Sequence, residues 1–172
     1  MEPLDIHLNA AVIHIASRLY PSGFEISDDA PDTFEKLKAQ FATGQMIVWS
    51  GGSDQTIYAD RKVNYCFRAW HDWCHVRGDH PFTDEGERAV CRMQCDHVTE
   101  LYGVSPQTDR WYAILRADVI GQQEYFYRYE SYPDDQRAFV ISYLIDPKIA
   151  LLKMPVPVNV VMQNSVDQIF SG

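Results

Sequence analysis

The chain has 172 residues, 46% of them hydrophobic and 13% aromatic, enough for one domain with a sizeable core and too apolar for a disordered segment. A formal net charge of −9 and a pI near 5.0 argue against nucleic-acid binding, which needs clustered Lys and Arg against phosphates. No uninterrupted apolar run of about 18 residues predicts a membrane span, and the opening MEPLDIHLNA lacks the basic start of a signal peptide. The expectation is therefore a cytoplasmic protein with reduced thiols at Cys66, Cys74, Cys91 and Cys95.

Residues 4–20 carry apolar side chains at Leu4, Leu8, Ala11, Val12, Ile15 and Leu19, a helical stripe that Pro21 and Gly23 end. Asp32 or Thr33 caps a helix that runs to Ala42, with Gly44 at its end. Residues 46–49 and 56–58 read as two strands joined by the turn at 50–55, a small β-hairpin or an ordered loop. Gly51-Gly52 is no phosphate loop, because no Gly-Lys-Ser/Thr follows. A motif helix is expected over about 62–77, then a break at Pro81 and Phe82. Thr83 or Asp84 caps a second motif helix to about Tyr102, and a third spans about 109–129. Residues 134–145 predict a fourth helix or a mixed segment. Pro147, Pro155 and Pro157 predict an extended tail.

Helical periodicity exposes an oddity. On the first motif helix His71 shares a face with Asn64, Phe67, Arg68, Cys74 and His75, with Asp72 about a quarter turn away. On the second, Glu87 and Gln94 share a face with Val90, Cys91, Val98 and Leu101. On the third, Asp118 and Gln122 sit among Trp111, Ile114, Leu115, Tyr125 and Tyr129. Each helix thus turns two polar side chains toward the core, where an unpaired carboxylate costs several kcal/mol. A divalent cation held by imidazole and carboxylate is the economical common cause, with Gln94 and Gln122 as hydrogen-bond partners of the ligands. A buried polar network without metal is one alternative, and a shifted helical phase that turns these residues to water is another.

The ligand set read this way is His71, His75 and Glu87 or Asp118, which suits Fe, Mn or Zn better than Ca or Mg. A hydrolase would use the metal to activate water, with Asp72 or Asp118 as base. An iron oxygenase would leave one face open to oxygen, but Cys74 beside the iron would be an oxidation hazard, which favours the hydrolase. Arg68 could hold the phosphate or carboxylate of a small-molecule substrate. His71-Asp72 with His75 also suggests a zinc-protease motif with Asp72 in place of the usual Glu and Glu100 as a distant third ligand. A zinc site from Cys74, Cys91 and Cys95 is a further, weaker pattern.

The ordered set FRAWHDWCH, PFTDEGERAV and ADVIGQQ, across residues 57–126, resembles a largely uncharacterised family common in bacteriophage genomes, with the pattern F-R-A-x-H-D-(x)-x-x-H, then F-x-x-x-G-E, then E-x-x-G-Q. The resemblance marks Phe67, Arg68, His71, Asp72, His75, Gly86, Glu87, Asp118, Gly121 and Gln122. Here Gln94 stands where some members have His, Asp118 stands where Glu is usual, and the His spacing is the shorter form. It implies a phage-associated helical domain with a metal site, working in the host cytoplasm, and no firm reaction. There is a looser likeness to HD-type phosphohydrolases, with His7 or His14 as the upstream His. Another is to the H-D-x-x-G-H element of iron-dependent aromatic amino-acid hydroxylases.

The expected fold is mainly α: a single-domain helical bundle over residues 1–172, with its motif core at about 57–130, a minor β-hairpin and an extended C-terminal tail. The first functional expectation is a metal-dependent hydrolase acting on a small molecule, phosphorylated substrates included. The second, from another class, is a non-catalytic phage accessory protein that binds a host protein or small molecule through the aromatic run at 125–132. A homo-oligomer is left open.

Overall fold

A computed structural model describes residues 2–152, and the fold is mainly helical. In chain order the elements are α1 (Ile6–Leu19), β1 (Glu25–Ser27), α2 (Phe34–Ala42), β2 (Ile47–Trp49), α3 (Arg61–Gly78) and α4 (Asp84–Tyr102). A long rod follows: α5 (Pro106–Arg116), a π-helical turn (Ala117–Gly121) and α6 (Gln122–Tyr129). Then come α7 (Gln136–Ile145) and α8 (Pro147–Ala150). The expected extended tail around Pro155 and Pro157 lies outside the described residues.

Side-chain caps set the helix boundaries. Thr33 accepts from the Lys36 amide at 3.3 Å and Thr83 from the Gly86 amide at 3.1 Å. Asp84, Glu85 and Glu87 crowd the first turn of α4, where the helix dipole favours negative charge. At the other end of α3, Asp79 adopts a left-handed conformation with φ of 51° and turns the chain back over the helix it has just left.

Helix α3 is the axle. It packs against α1, α2, β2 and α4. Trp70 and Cys74 join the main core with Leu8, Val12 and Ile15 of α1, while Ala69 faces a second cluster of Leu37, Met46 and Val48. Full burial of aliphatic side chains of this kind contributes about 1.5–3 kcal/mol each. Among the described residues no helix is long and apolar enough to cross a membrane.

The structure corrects the β-hairpin. β1 and β2 pair in parallel, Glu25 opposite Ile47 and Ser27 opposite Trp49, with α2 as the crossover between them. Residues 56–58 are no return strand. Ile57 and Tyr58 bury their side chains in the core, the Ile57 carbonyl accepts from the Leu4 amide at 2.7 Å, and Ala59 follows at φ 57°, which breaks any extended run. The third motif helix begins three residues earlier than expected, at Pro106, and contains the π turn. Residues 117–123 are all buried because α4 and α7 pack against the π turn, where the rod also faces the cleft. Gly121 lets α7 approach: a Cβ at that position would stand 3.0 Å from the Tyr143 ring.

Candidate metal centre

His71 and His75 stand one turn apart on α3 with their Nε2 atoms 3.0 Å from each other. Glu87, in the first turn of α4, closes a triangle: its Oε2 lies 3.2 Å from His71 Nε2 and its Oε1 3.4 Å from His75 Nε2. One ligand atom from each residue falls within 4.8 Å of the others. Metal–ligand bonds of about 2.0–2.1 Å put neighbouring ligand atoms about 2.8–3.0 Å apart at octahedral angles and about 3.3–3.4 Å apart at tetrahedral ones. The three side chains therefore already have the spacing of a shared cation.

The imidazoles are oriented from behind. His75 Nδ1 lies 2.7 Å from the His80 carbonyl, which can only accept, so Nδ1 carries the proton and neutral His75 offers a lone pair at Nε2. The left-handed Asp79 delivers that carbonyl. Phe82 sets its ring edge-on to His75 at 4.7 Å, and Phe67 lies 5.8 Å from His71. His71 Nδ1 is buried without a hydrogen bond, and so are both polar atoms of Gln94, which is fully buried. Gln94 nonetheless lies close enough to favour the charged form of His71. A small shift of the amide would join these orphaned groups, Gln94 Oε1 accepting from His71 Nδ1 and fixing the tautomer that presents Nε2 to a cation.

Electrostatics bind the trio tightly. Burial opposes the charged His71, but the Glu87 carboxylate outweighs it and raises the imidazole pKa. Burial likewise opposes the charged Glu87, yet the two imidazoles hold its pKa far below the usual carboxylate range.

His71 and Glu87 line a cleft of about 520 Å³ together with Arg68, Asp72, Asp118 and Gln122, and His75 lies fully buried behind them. A neighbouring hollow of about 650 Å³, with Asp28, Asp29 and Asp32, shares the Trp49 wall but contains none of the trio. Desolvation lifts Asp72 to about 6 against the pull of His71, His75 and Arg68. Asp72 makes no hydrogen bond or ion pair among the described residues.

Asp118 differs from expectation. It does not join the ligand trio; its Oδ2 accepts from Tyr58 at 3.2 Å and its Oδ1 from the Gln122 amide at 2.7 Å. Burial raises its pKa to about 6 despite those two donors. The sign follows from linkage. A carboxyl that binds its proton more tightly folded than unfolded stabilises the fold fully below the unfolded pKa, near 3.8, and loses that contribution as pH rises through 6. Asp118→Asn, measured metal-free by denaturant unfolding, is expected to flatten the stability–pH curve between pH 4 and 6, about the two pKa values. At pH 7 it should gain about 1–3 kcal/mol.

Arg68 is not poised as expected either. Its Nη1 donates to the carbonyls of Trp49 at 2.6 Å and Gly51 at 2.7 Å, its Nη2 to that of Gly52 at 3.3 Å, and the guanidinium lies 5.1 Å from the Trp49 ring. The paired fork that would grip a phosphate is spent on the loop after β2. Cys74, Cys91 and Cys95 form no metal-ligating group, and Glu100, His7 and His14 are exposed and outside the trio, so among the described residues the zinc-thiolate site is not formed and the protease and HD-type arrangements lack their further ligand.

Sequence reading missed Tyr58, whose hydroxyl reaches Asp118 across 60 positions, and the His80 carbonyl. The first hides in an apolar triplet, and a main-chain acceptor leaves no residue-type signal. Gln94→Leu isolates the orienting role. Metal affinity is expected to fall about 10–100-fold, with metal-free stability held within about 1 kcal/mol because only an unpartnered amide is removed; competition with a chromophoric chelator measures the first and urea unfolding the second. No family model, no curated protein and no solved structure matches the chain.

Proposed function

We propose that the chain is a divalent-metal-dependent enzyme, hydrolytic in type, acting on a small molecule in the cleft. The observation that carries this is the convergence of His71, His75 and Glu87 at cation-ligand spacing, with His71 and Glu87 lining a cleft that also presents the Asp72 carboxylate. A Zn, Mn or Fe ion held there supplies Lewis-acid polarisation and makes water a nucleophile near neutral pH.

The chain's own groups divide the remaining work. Asp118 is the general base: Tyr58 and Gln122 fix its carboxylate in the cleft, and a positioned carboxylate accepts the proton of an attacking water. The His80 carbonyl and Gln94 hold the two imidazoles. Phe67 and Phe82 set their rings against His71 and His75 and limit the directions in which the imidazoles can turn. Two imidazoles and one carboxylate also suit a non-haem iron oxygenase, and metal identity separates the readings. The phage-type motif likeness fits a protein working in the host cytoplasm.

Elemental analysis of the purified, untagged protein tests the proposal, followed by nitrophenyl ester, amide and phosphate hydrolysis and by oxygen uptake with Fe(II). About one Zn or Mn per chain with metal-dependent hydrolysis is the expected result. Iron with oxygen uptake would replace the hydrolase by the oxygenase. Absence of metal, even after reconstitution with Fe, Mn and Zn, would overturn the enzyme reading in favour of a metal-free polar core in an accessory protein.

A further inference from the structure

We propose that the cleft takes a substrate bearing a protonated amine beside a flat apolar group, with Asp72 as its anionic partner. The proposal rests on the reading of the cleft as a substrate site and names the class of molecule it admits.

The charge balance of the lining comes first. Asp72, Glu87 and Asp118 face a single guanidinium, Arg68, while Asp32 is already paired with Lys36 at 2.6 Å. Without metal the lining therefore carries two formal negative charges in surplus, on a chain whose net charge is −9. Cations are drawn to such a cleft and phosphate monoesters are repelled by its carboxylates. Arg68 does not reverse this, because its Nη1 and Nη2 already serve the Trp49, Gly51 and Gly52 carbonyls.

Asp72 is the group left over. Asp118 already accepts one hydrogen bond at each oxygen, from a hydroxyl and an amide, and Glu87 is shared by two imidazoles. Asp72 lines the same cleft, half-buried, and no hydrogen bond or ion pair engages it among the described residues. A carboxylate taken from water without a partner costs several kcal/mol, and an ammonium ion offers the missing compensation. The walls suit the rest of such a ligand. Phe126 and Tyr132 lie ring to ring at 4.9 Å, Phe82 stands by His75, and Trp49 closes the rim. Aromatic faces attract both a cation and the apolar body behind it.

The test titrates ¹⁵N-labelled, metal-free protein at pH 7 with benzylamine, benzyl alcohol and phenyl phosphate, following amide and indole shifts. Omitting metal prevents the amine from binding as a metal ligand. Benzylamine is expected to bind at least about tenfold more tightly than the alcohol and to shift signals around Trp49, Phe82 and Tyr132. Asp72→Asn should reduce the amine to the level of the alcohol, while Asp72→Glu keeps most of the preference. An amine that binds no better than the alcohol, phenyl phosphate binding tightest, or an unchanged Asp72→Asn would each overturn the proposal. If Asp72→Asn fails to fold, the wild-type ranking of the three probes decides alone. Metal content is measured on the same preparations. Full metal loading without amine preference sinks this proposal and spares the enzyme; amine preference without metal loading sinks the enzyme and leaves a cation-binding site.

Discussion

His71→Ala and Glu87→Ala are each expected to emerge from purification with little bound metal and no metal-dependent activity. Structural cation sites of four ligands are worth about 10–16 kcal/mol, so each ligand carries a share near 3 kcal/mol, and losing one weakens affinity a hundredfold or more. Thermal unfolding gives a second readout. At a thousandfold excess over its dissociation constant a ligand adds about 4 kcal/mol to stability, so wild type should rise in Tm with added metal while both variants stay flat. The metal-free variants separate further. Removing Glu87 strips the carboxylate that does most to charge His71 and leaves only the weaker pull of Asp72, so the imidazole pKa should drop. Removing His71 leaves Glu87 paired only with His75. Two variants that still bind metal at wild-type stoichiometry would remove the foundation of the proposed function.

Gly86→Ala is expected to be the most damaging single-methyl change in the molecule. Alanine inside a helix normally gains up to about 1 kcal/mol over glycine. Here the added Cβ would stand 1.8 Å from the Pro81 carbonyl oxygen and 3.0 Å from its carbon, a contact with backbone that no rotamer change relieves. The Pro81 segment must move, and His80, whose carbonyl orients His75, moves with it. Adjacent Glu87 is carried along on α4. The expected cost is about 3 kcal/mol or more, the upper range for overpacking, together with a loss of metal affinity. Urea unfolding and chelator competition on the same protein check both. A stabilised Gly86→Ala protein would show that α4 and the Pro81 turn do not meet this closely.

These variants also show why parts of the fold were legible beforehand. Thr33 and Thr83 announce their helices because a side-chain oxygen must satisfy amides that the first turn leaves open. His71, His75 and Glu87 stood out because a period of 3.6 residues set them against apolar neighbours on two separate helices. The β1–β2 pairing was hidden: its first strand, Glu25–Ser27, is half polar, and its partner lies beyond a whole helix. Arg68 looked free because the carbonyls it serves belong to loop backbone. Asp118 looked like a ligand because helical periodicity reports that a residue faces inward, not that Tyr58 has already claimed its oxygen.

The π turn at Ala117–Gly121 has one further consequence, in terms of ancestry. Such a turn is one residue more than an α-helix needs, so it amounts to an insertion retained in place. Deleting Val119 would restore a regular helix and rotate everything beyond it by about 100° relative to everything before. Either Asp118 leaves the cleft, or Tyr125 leaves its ring contact with Phe139 at 5.3 Å on α7. The shorter chain would still be helical, and it would have to choose between the carboxylate and the packing. The extra residue removes that choice, which makes this short segment the place where a folded scaffold and a working site would part company in descent.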